Sequence, residues 1–354
     1  MAKNTNLSKA RDAKKDEFYT TFDDIQEEIN HYEDKFKGKT VLCNCDDPYE
    51  SKFCKFFLLN FNWLGLKRLI CTSYSSSPVV NTQISLFDDE DEPVVKGNGY
   101  VMDITHIPMS NGRGVSENDI NALLKSKKRG VKKLKGDGDF RSAECIEYLK
   151  QADIVVTNPP FSLFREYVAQ LMEYDKKFLI IGNQNAITYK EIFPLIRDNK
   201  MWLGNGFRGN VGFFSSPYED RAKASQHKEG LIRISGVMWF TNLDLKKRHE
   251  DLILVKRYYG NEEAYPKYDN YDAINVNKTV EIPMDYDGVM GVPITFMDKY
   301  NPEQFEIIGA TESEGKGFSM GLWDEASGVA QPLVNGKRLY KRIFIRKKQK
   351  EGKR

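Results

Sequence analysis

The fold of this chain is decided by residues 153–161, which read Asp-Ile-Val-Val-Thr-Asn-Pro-Pro-Phe, and by the stretch 162–174 that follows them. Residues 153–157, which are mostly apolar and β-branched, predict a buried strand. Pro159 and Pro160 then fix φ and remove two amide donors, so the strand has to end in a rigid turn. Because residues 162–174 carry apolar side chains at helical spacing, this segment predicts a strand, a stiff turn and a helix.

The same alternation extends on both sides of this segment. Short β-branched and aromatic runs predict further strands at residues 40–43, 68–72, 99–102, 177–182 and 236–242. Apolar residues at helical spacing predict further helices at residues 50–60, 142–151 and 189–199. The pattern predicts an α/β fold with a mainly parallel sheet and helices on both of its faces. Ligands bind such sheets beyond the carboxyl ends of the strands, so chemistry is expected at the proline turn.

The domain organisation follows from where this alternation stops. Residues 75–98 and 110–138 are polar or rich in Gly, Lys and Ser, and we interpret them as surface insertions in a catalytic domain spanning residues 1–243. After residue 243 the chain becomes rich in Tyr, Asp, Asn and Pro, with short strand candidates at 305–308 and 340–345. We expect residues 244–354 to form an appended recognition region.

Composition excludes several classes of protein. The 354 residues carry 53 Lys plus Arg against 51 Asp plus Glu, and no apolar stretch approaches the length of a membrane span, about 20 residues. Residues 1–15 are polar and lack the apolar centre of a secretory signal, so a cytoplasmic protein is expected. The five cysteines show no Cys-x-x-Cys spacing and the four histidines are scattered, which predicts reduced thiols and no metal site.

Charge is segregated along the chain although the net charge is only +2. Residues 125–135 contain seven basic residues and no acidic one, and residues 341–354 contain eight basic residues beside Glu351 alone. Residues 88–92 are five consecutive acids. Each run has an ordinary interpretation as a solvated surface or tail, but two basic runs in one chain favour a polyanionic partner.

The proline turn has the groups needed to bind an aromatic amine. The amide oxygen of Asn158 and the carbonyl of Pro159 are two hydrogen-bond acceptors, Pro160 stiffens the turn, and Phe161 offers a flat apolar face. Two acceptors on the N–H bonds of a conjugated amine draw its nitrogen towards tetrahedral geometry, so that its lone pair points at an electrophile. The alternative is that the tetrapeptide is merely a stiff loop. Because it lies between a predicted strand and a predicted helix, we favour a binding site for an aromatic amine.

The tetrapeptide from Asn158 to Phe161 resembles the catalytic motif of S-adenosylmethionine-dependent amino-methyltransferases. The wider chain resembles the EcoRI modification methylase family of adenine-N6 DNA methyltransferases over nearly its whole length, through further landmarks at residues 43–48, 182–186, 236–242 and 291–296. The resemblance implies a Rossmann-like sheet and methyl transfer from S-adenosyl-L-methionine to an adenine flipped out of DNA. The alternatives are an RNA or protein-glutamine methyltransferase, or a catalytically inactive nucleic-acid-binding module on the same fold.

The resemblance also implies a set of cofactor-binding residues. A tyrosine and two threonines near the N-terminus resemble the family's first cofactor segment, although either threonine could instead cap the helix near Asp23. Residues 44–48 replace the Gly-rich turn of most methyltransferases, and the two aspartates there could instead cap the next helix. The segment 72–73 lacks the usual ribose-binding carboxylate, which its hydroxyls could replace only in part. Residues 138–140 resemble the segment in which an aspartate binds the adenine amine of the cofactor and an aromatic ring stacks on the base, although they could instead form a Gly-Asp turn. The expected cofactor-binding residues are Tyr19, Thr20, Thr21, Asn44, Cys45, Asp46, Asp47, Pro48, Thr72, Ser73, Asp139, Phe140 and Asn158.

The implied partner is double-stranded DNA, bound largely through phosphate contacts by basic residues. The candidate DNA-binding residues after the fifth strand are Arg208, Lys223, Gln226, His227 and Lys228. The run Lys246-Lys247-Arg248 and the basic tail are further candidates, although exposed lysines often serve solubility alone. A monomer is expected, and a restriction endonuclease of the same system is a partner that one chain cannot identify.

Overall fold

The computed structural model describes residues 19–45, 51–74, 99–107, 115–116, 118–120, 131–207, 211–215, 227–228, 231–312 and 317–349. The chain divides into two compact units. Unit 1 contains Met1–Gln184 and Gly206–Leu243, and unit 2 contains Asn185–Asn205 and Asp244–Arg354. Unit 2 thus includes a segment that lies in the middle of the sequence. In the described part of the chain, none of the helices has the length and hydropathy to cross a bilayer.

The secondary structure comprises the following elements. The strands, in chain order, are β1 (Tyr19–Thr20), β2 (Thr40–Cys43), β3 (Arg68–Thr72), β4 (Tyr100–Ile104), β5 (Val131–Lys133), β6 (Ile154–Thr157), β7 (Lys177–Asn183), β8 (Trp202–Leu203), β9 (Val211–Ser215), β10 (His227–Lys228), β11 (Leu231–Ser235), β12 (Val237–Thr241), β13 (Ile274–Asn275), β14 (Met290–Pro293), β15 (Phe305–Ala310), β16 (Leu333–Val334), β17 (Lys337–Arg338) and β18 (Arg342–Lys347). The helices are α1 (Phe22–Ile29), α2 (Glu33–Phe36), α3 (Lys52–Leu59), α4 (Ala143–Gln151), α5 (Phe164–Glu173) and α6 (Phe193–Arg197).

The main sheet of unit 1 has the strand order β5-β4-β3-β2-β6-β7-β12. Its central strands β3, β2, β6 and β7 are parallel, whereas β4 pairs antiparallel with both β3 and β5, and β12 pairs antiparallel with β7. The sheet is therefore mixed, and the prediction of a mainly parallel sheet holds only for its centre. The segment 75–98 between β3 and β4 has no helical pattern in the sequence, and a parallel connection usually needs a helical crossover.

Helices of unit 1 begin where the sequence places small polar residues. Ser51 accepts hydrogen bonds from the backbone of Phe53 and Cys54 at the start of α3, and Ser142 accepts one from Cys145 at the start of α4. The buried faces of α3 and α5 carry large aromatic side chains, including Phe53, Phe56, Phe57, Phe164 and Tyr167. These helices agree with the predicted ones to within a few residues at each end.

A second, smaller sheet in unit 1 was not predicted from the sequence. Its order is β1-β9-β11-β10, with each pairing antiparallel. The pairing of Thr20 with Phe214 joins the N-terminal segment to residues nearly two hundred positions later. Strand β5 likewise lies inside the stretch 110–138 that we interpret from the sequence as an insertion. Of the rest of this stretch, residues 115–116, 118–120 and 134–138 are described, whereas the other insertion, 75–98, lies outside the described residues.

Unit 2 contains a four-stranded sheet in the order β13-β14-β18-β15 and a separate hairpin formed by β16 and β17. The hydrophobic residues of β18, Ile343 to Ile345, are fully buried, so the first half of the basic tail is a core strand. A cluster of Tyr268, Tyr271, Ala273 and Phe344 lies in the core of this unit. Burial raises the pKa of Tyr271 to about 12, so its hydroxyl stays protonated and donates to the carbonyl of Ala330.

Candidate active site

The candidate site lies where the parallel strands of the main sheet end. Strands β2 and β3 run side by side with Cys43 opposite Cys71, and β2 pairs with β6 through Leu42 and Val155. From β2 the chain continues to β3 on one side, whereas β6 and β7 lie on the other side. This reversal is a topological switch point, the place where open α/β sheets form a ligand crevice. Asn44 and Asn158 follow the two strands that border it.

The turn at residues 158–161 follows strand β6 and leads towards helix α5. Strand β6 is fully buried, Asn158 and Phe161 are half-buried, and Pro159 is buried. The carbonyl of Pro160 accepts a hydrogen bond from the backbone N–H of Leu163 at 2.9 Å, which closes a 3-10 turn leading directly into α5. The buried strand and the packed helix are therefore joined by residues 158–163 alone.

Packing beneath the helix fixes where the turn lies. A Cβ atom added to Gly182 on β7 would lie 2.5 Å from the ring of Phe164, the first residue of α5. Only glycine therefore allows this ring to sit on the strand. The ring of Phe164 also packs against Phe240 of β12 at 5.1 Å between centroids. Gly182 thus lets the helix that follows the turn at residues 158–161 approach the sheet closely.

A buried hydrogen-bond network ties the end of β2 to the turn. Asn44 accepts two hydrogen bonds: its backbone carbonyl from the hydroxyl of Thr157, and its side-chain carbonyl from the hydroxyl of Tyr167. All three residues are almost inaccessible to solvent. The ring of Tyr167 also packs edge-on against Phe140, with centroids 5.0 Å apart. The network connects residues from three predicted site segments.

Thr157 and Tyr167 were missed as site residues by the sequence reasoning. A signal was available for Tyr167, because it lies on the apolar face of the helix and a buried tyrosine hydroxyl needs a hydrogen-bond partner. Its partner, Asn44, is 123 positions away in the sequence, so the fold alone identifies the pair.

The segments 72–73 and 138–140 meet through a close backbone contact. Gly138 has φ +84°, and a Cβ atom there would lie 1.9 Å from the carbonyl oxygen of Ser73. A Cβ atom on Gly99 would lie 2.5 Å from the same oxygen. The structure therefore brings together the predicted ribose-binding and adenine-binding segments, and glycine is required for both approaches.

The carboxylate of Asp139 is held by its neighbour Arg141. Oδ1 accepts from the backbone N–H and from Nε of Arg141 at 2.8 and 2.9 Å, and Oδ2 accepts from Nη2 at 2.7 Å. Hydrogen bonding by Arg141 lowers the pKa of Asp139 below its ordinary value, so the group is ionised at neutral pH. A carboxylate has about four acceptor positions, which leaves capacity for a ligand N–H. The sequence reasoning did not identify Arg141, which also contacts Glu166 at 3.0 Å.

The threonines and serine of the predicted cofactor set differ in their roles. Thr21 is the N-cap of α1 and accepts from the backbone N–H of Asp24 at 3.3 Å, which is the capping alternative. The hydroxyl of Ser73 accepts from the backbone N–H of Tyr100 at 2.9 Å and so holds β3 to β4. By contrast, the hydroxyls of Thr20 and Thr72 are buried, and neither has a hydrogen-bond partner among the described residues.

The turn after β2 is strained at Cys45. This residue has φ +66°, the left-handed conformation that glycine adopts most easily. The turn thus adopts a glycine-like backbone geometry without a glycine. Asp46, Asp47 and Pro48 lie outside the described residues, but the capping role considered for the two aspartates belongs to Ser51.

The candidate DNA-binding residues are only partly described. Arg208, Lys223 and Gln226 lie outside the described residues, and His227 and Lys228 form β10, whose side chains are not described.

Lys247 and Arg248 of the run 246–248, the further candidates for DNA binding, have partners within unit 2. Lys247 pairs with Asp298 at 2.5 Å. Arg248 stacks over the ring of Trp202 at 3.9 Å and donates to Asn199 at 2.7 Å. These two cations have roles in packing unit 2.

Comparisons with known proteins show the family to which the chain belongs. The profile of the family described as adenine-specific methyltransferase EcoRI matches residues 6–348. The chain is 46% identical over 353 residues to the Type II methyltransferase M.EcoRI of Escherichia coli, covering 98% of each chain. It is 36% identical to the Type II methyltransferase M.MpnI of Mycoplasma pneumoniae, covering 97% of this chain and 98% of that protein. No solved structure matches the chain. The chain therefore belongs to the EcoRI family of adenine-specific methyltransferases.

Proposed function

We propose that this protein transfers a methyl group from S-adenosyl-L-methionine to the N6 amine of an adenine flipped out of duplex DNA. Membership of the adenine-specific family supports the target base. The observation that carries the proposal is the position of the Asn158 turn at the switch point of the sheet, where it is tied to Asn44 through Thr157. We further propose that the sheet is Rossmann-like, since the order β4-β3-β2-β6-β7 follows the 3-2-1-4-5 arrangement of that fold.

In this mechanism the chain acts by positioning. The amide oxygen of Asn158 and the carbonyl of Pro159 accept the two N–H bonds of the adenine amine, and Phe161 stacks on the base. These contacts direct the nitrogen lone pair and cost little reorganisation, because Pro159, Pro160 and the start of α5 hold the turn rigid. When bound, S-adenosylmethionine supplies an electrophilic methyl group on a sulfonium.

The residues present fit such a cofactor. The buried hydroxyls of Thr20 and Thr72 have no hydrogen-bond partner among the described residues, and a polar ligand group would satisfy them. Asp139 is ionised and can accept from the adenine amine of the cofactor. Phe140, held on Tyr167, would form a wall of the same pocket. We assign the cofactor to the edge formed by the ends of β2, β3 and β6.

Extruding an adenine costs a few kcal/mol of stacking and pairing energy and requires an extended DNA surface. We therefore propose that unit 2 contributes to target recognition. The description of the relatives as Type II methyltransferases supports a restriction-modification context. A cytoplasmic location, a monomeric state and a cognate endonuclease are parts of this proposal.

Parallel labelling assays test the proposal. The protein is incubated with methyl-labelled cofactor and with duplex DNA, RNA or protein, and modified adenines are mapped in the DNA. We expect label in N6-methyladenine of duplex DNA alone. Labelling of RNA or protein instead would refute the substrate, and DNA binding without affinity for the cofactor would indicate an inactive module.

The Asn158→Ala variant tests the role of the turn in the same assay. We expect methylation to be abolished while cofactor affinity, measured by calorimetry, is largely retained. Unchanged turnover would remove the role assigned to Asn158.

A further inference from the structure

The hairpin formed by β16 and β17 in unit 2 has the tightest connection two strands can have. Leu333 pairs with Arg338 and Val334 with Lys337, so only Asn335 and Gly336 form the turn. Their φ values, +49° and +72°, are both positive, which is the signature of a type I′ turn. The Asn-Gly sequence is the commonest choice for this geometry, because both residues tolerate it.

Buried and charged groups hold the hairpin in place. The carboxylate of Asp269 accepts from the backbone N–H groups of Asn335 and Gly336 at 3.2 and 2.7 Å. The buried side chain of Asn270 accepts from the N–H of Leu333 at 2.9 Å. Its amide nitrogen donates to the carbonyls of Val329 and Gln331 at 2.6 and 2.9 Å. The backbone before and after β16 is therefore held by two adjacent residues, Asp269 and Asn270.

Apolar contacts add to these hydrogen bonds. Val334 and Leu339 pack against the core cluster that contains Tyr271 and Phe344. The hairpin is thus attached along its inner side, and its conformation is set before any partner binds.

The tip and the second strand of the hairpin are polar and basic. Asn335, Gly336, Lys337 and Arg338 are all exposed. Within the described residues neither Lys337 nor Arg338 lies within ion-pair distance of a carboxylate, whereas Lys247 and Lys278 of the same unit both do. The carboxylate of Asp269 lies at the turn, but it accepts hydrogen bonds from the backbone amides of the turn and does not pair with Lys337 or Arg338. Solubility alone would not require so rigid a support for two unpaired cations.

We propose that the hairpin spanning Leu333–Arg338 inserts into the major groove of DNA, with Lys337 and Arg338 on phosphates and Asn335 at the base edges. This inference rests on the proposed function. The major groove is about 12 Å wide and admits a two-stranded ribbon. An asparagine at the tip has the donor and acceptor needed to pair with an adenine edge. A preformed hairpin loses little conformational entropy on binding.

Charge removal tests the phosphate contacts. The probe is a duplex carrying the sequence that the wild-type protein methylates in mapped DNA, and the variants are Lys337→Ala, Arg338→Ala and their combination. Each lost phosphate contact should reduce the salt slope by about 0.9, which corresponds to about eightfold weaker binding at 0.1 M salt. Lys299→Ala is the matched control, an exposed lysine of unit 2 with no ion pair among the described residues. Affinity and salt slope equal to those of the control would overturn the inference.

Asn335→Gly tests base reading and keeps the turn, because glycine accepts the positive φ. On duplexes changed one base pair at a time, we expect loss of discrimination at one position, worth about tenfold or more. Undiminished discrimination at every position would remove the reading role. If the wild-type protein methylates no duplex DNA, the proposed function itself fails; if it does and the hairpin variants match the wild type, only this inference fails.

Discussion

Replacing Tyr167 with phenylalanine tests whether the network around Asn44 positions the turn at residues 158–161, to which we assign the catalytic role. The substitution keeps the ring that packs on Phe140 and removes only the hydroxyl that donates to the side chain of Asn44. Tyr167 is fully buried and Asn44 is 3% exposed, so water cannot replace the lost donor without rearrangement. The buried acceptor left behind costs about 1 to 3 kcal/mol, which is the expected fall in the free energy of unfolding.

The effect on activity follows from what Asn44 contacts. Its backbone carbonyl binds the hydroxyl of Thr157, the residue immediately before Asn158. If misplacement of the turn raises the activation free energy of methyl transfer by about 1.4 kcal/mol, kcat falls about tenfold. The dissociation constant of the cofactor should rise as well, since Asn44 borders the proposed cofactor edge. Urea unfolding, single-turnover methylation and calorimetry measure the three quantities.

Tyr174→Phe is the matched control, because Tyr174 is a half-exposed tyrosine at the C-terminal end of the same helix. We expect it to leave kcat and cofactor affinity unchanged. If Tyr167→Phe lowers stability but leaves both kcat and cofactor affinity at the wild-type values, the network is structural only and the positioning argument is wrong.

Three further predictions concern single residues. Gly138→Ala should destabilise the fold by roughly 2 to 5 kcal/mol, because its Cβ would lie 1.9 Å from the carbonyl oxygen of Ser73; Gly136→Ala, whose Cβ meets nothing within 4 Å, is the control, and equal stabilities would contradict the prediction. Cys45→Gly should raise the free energy of unfolding by about 0.5 to 1 kcal/mol by relieving the strain at φ +66°, net of the backbone entropy of glycine, and destabilisation on urea unfolding would disprove it. His249 lies 2.8 Å from both Asp244 and Glu303, whose hydrogen bonds raise its pKa above 6.5. Its contribution to stability is therefore full below pH 6.5 and lost as the pH rises through the higher folded value; NMR titration should show the raised pKa falling in Asp244→Asn, and an unaltered pKa would refute the assigned cause.

The elements of the central sheet could be predicted because their signals are local. The strand 154–157, the prolines after it and the helical spacing beyond them are all readable within one stretch of about twenty residues, and β2, β3 and β7 have similarly continuous apolar runs. The direction of β4 was missed because the residues within a strand do not give its direction. The available signal lay in the connection, since residues 75–98 lack the helical pattern that a parallel crossover usually needs. The sheet containing β1 and β9 was missed because its pairing partners are far apart in the sequence.

The residues of the candidate site likewise divide into those that a local sequence signal identifies and those that only the structure identifies. Asn158 and Phe161 were identified from a motif, and Asn44 from the landmark after the first strand of the main sheet. The roles of Thr21 and Ser73 in capping and strand pairing needed the structure, since a hydroxyl beside a helix or strand has the same sequence signature whether it binds a ligand or the backbone. Tyr167 contacts Asn44, a partner that only the fold defines, whereas Arg141 contacts Asp139, which lies two positions before it in the sequence.

Unit 2 is built from two separate segments of the chain, and this has a practical consequence for exchanging the unit between relatives. Fragments that begin at Asp244 lack Asn199 and Trp202, the two residues that hold Arg248, and Thr188, which accepts from Lys341 at 2.9 Å. Such a fragment would expose the surfaces these residues cover. A transplant of this unit between relatives therefore has to carry Asn185–Asn205 along with the C-terminal segment, so that two separate stretches of the gene must be exchanged together.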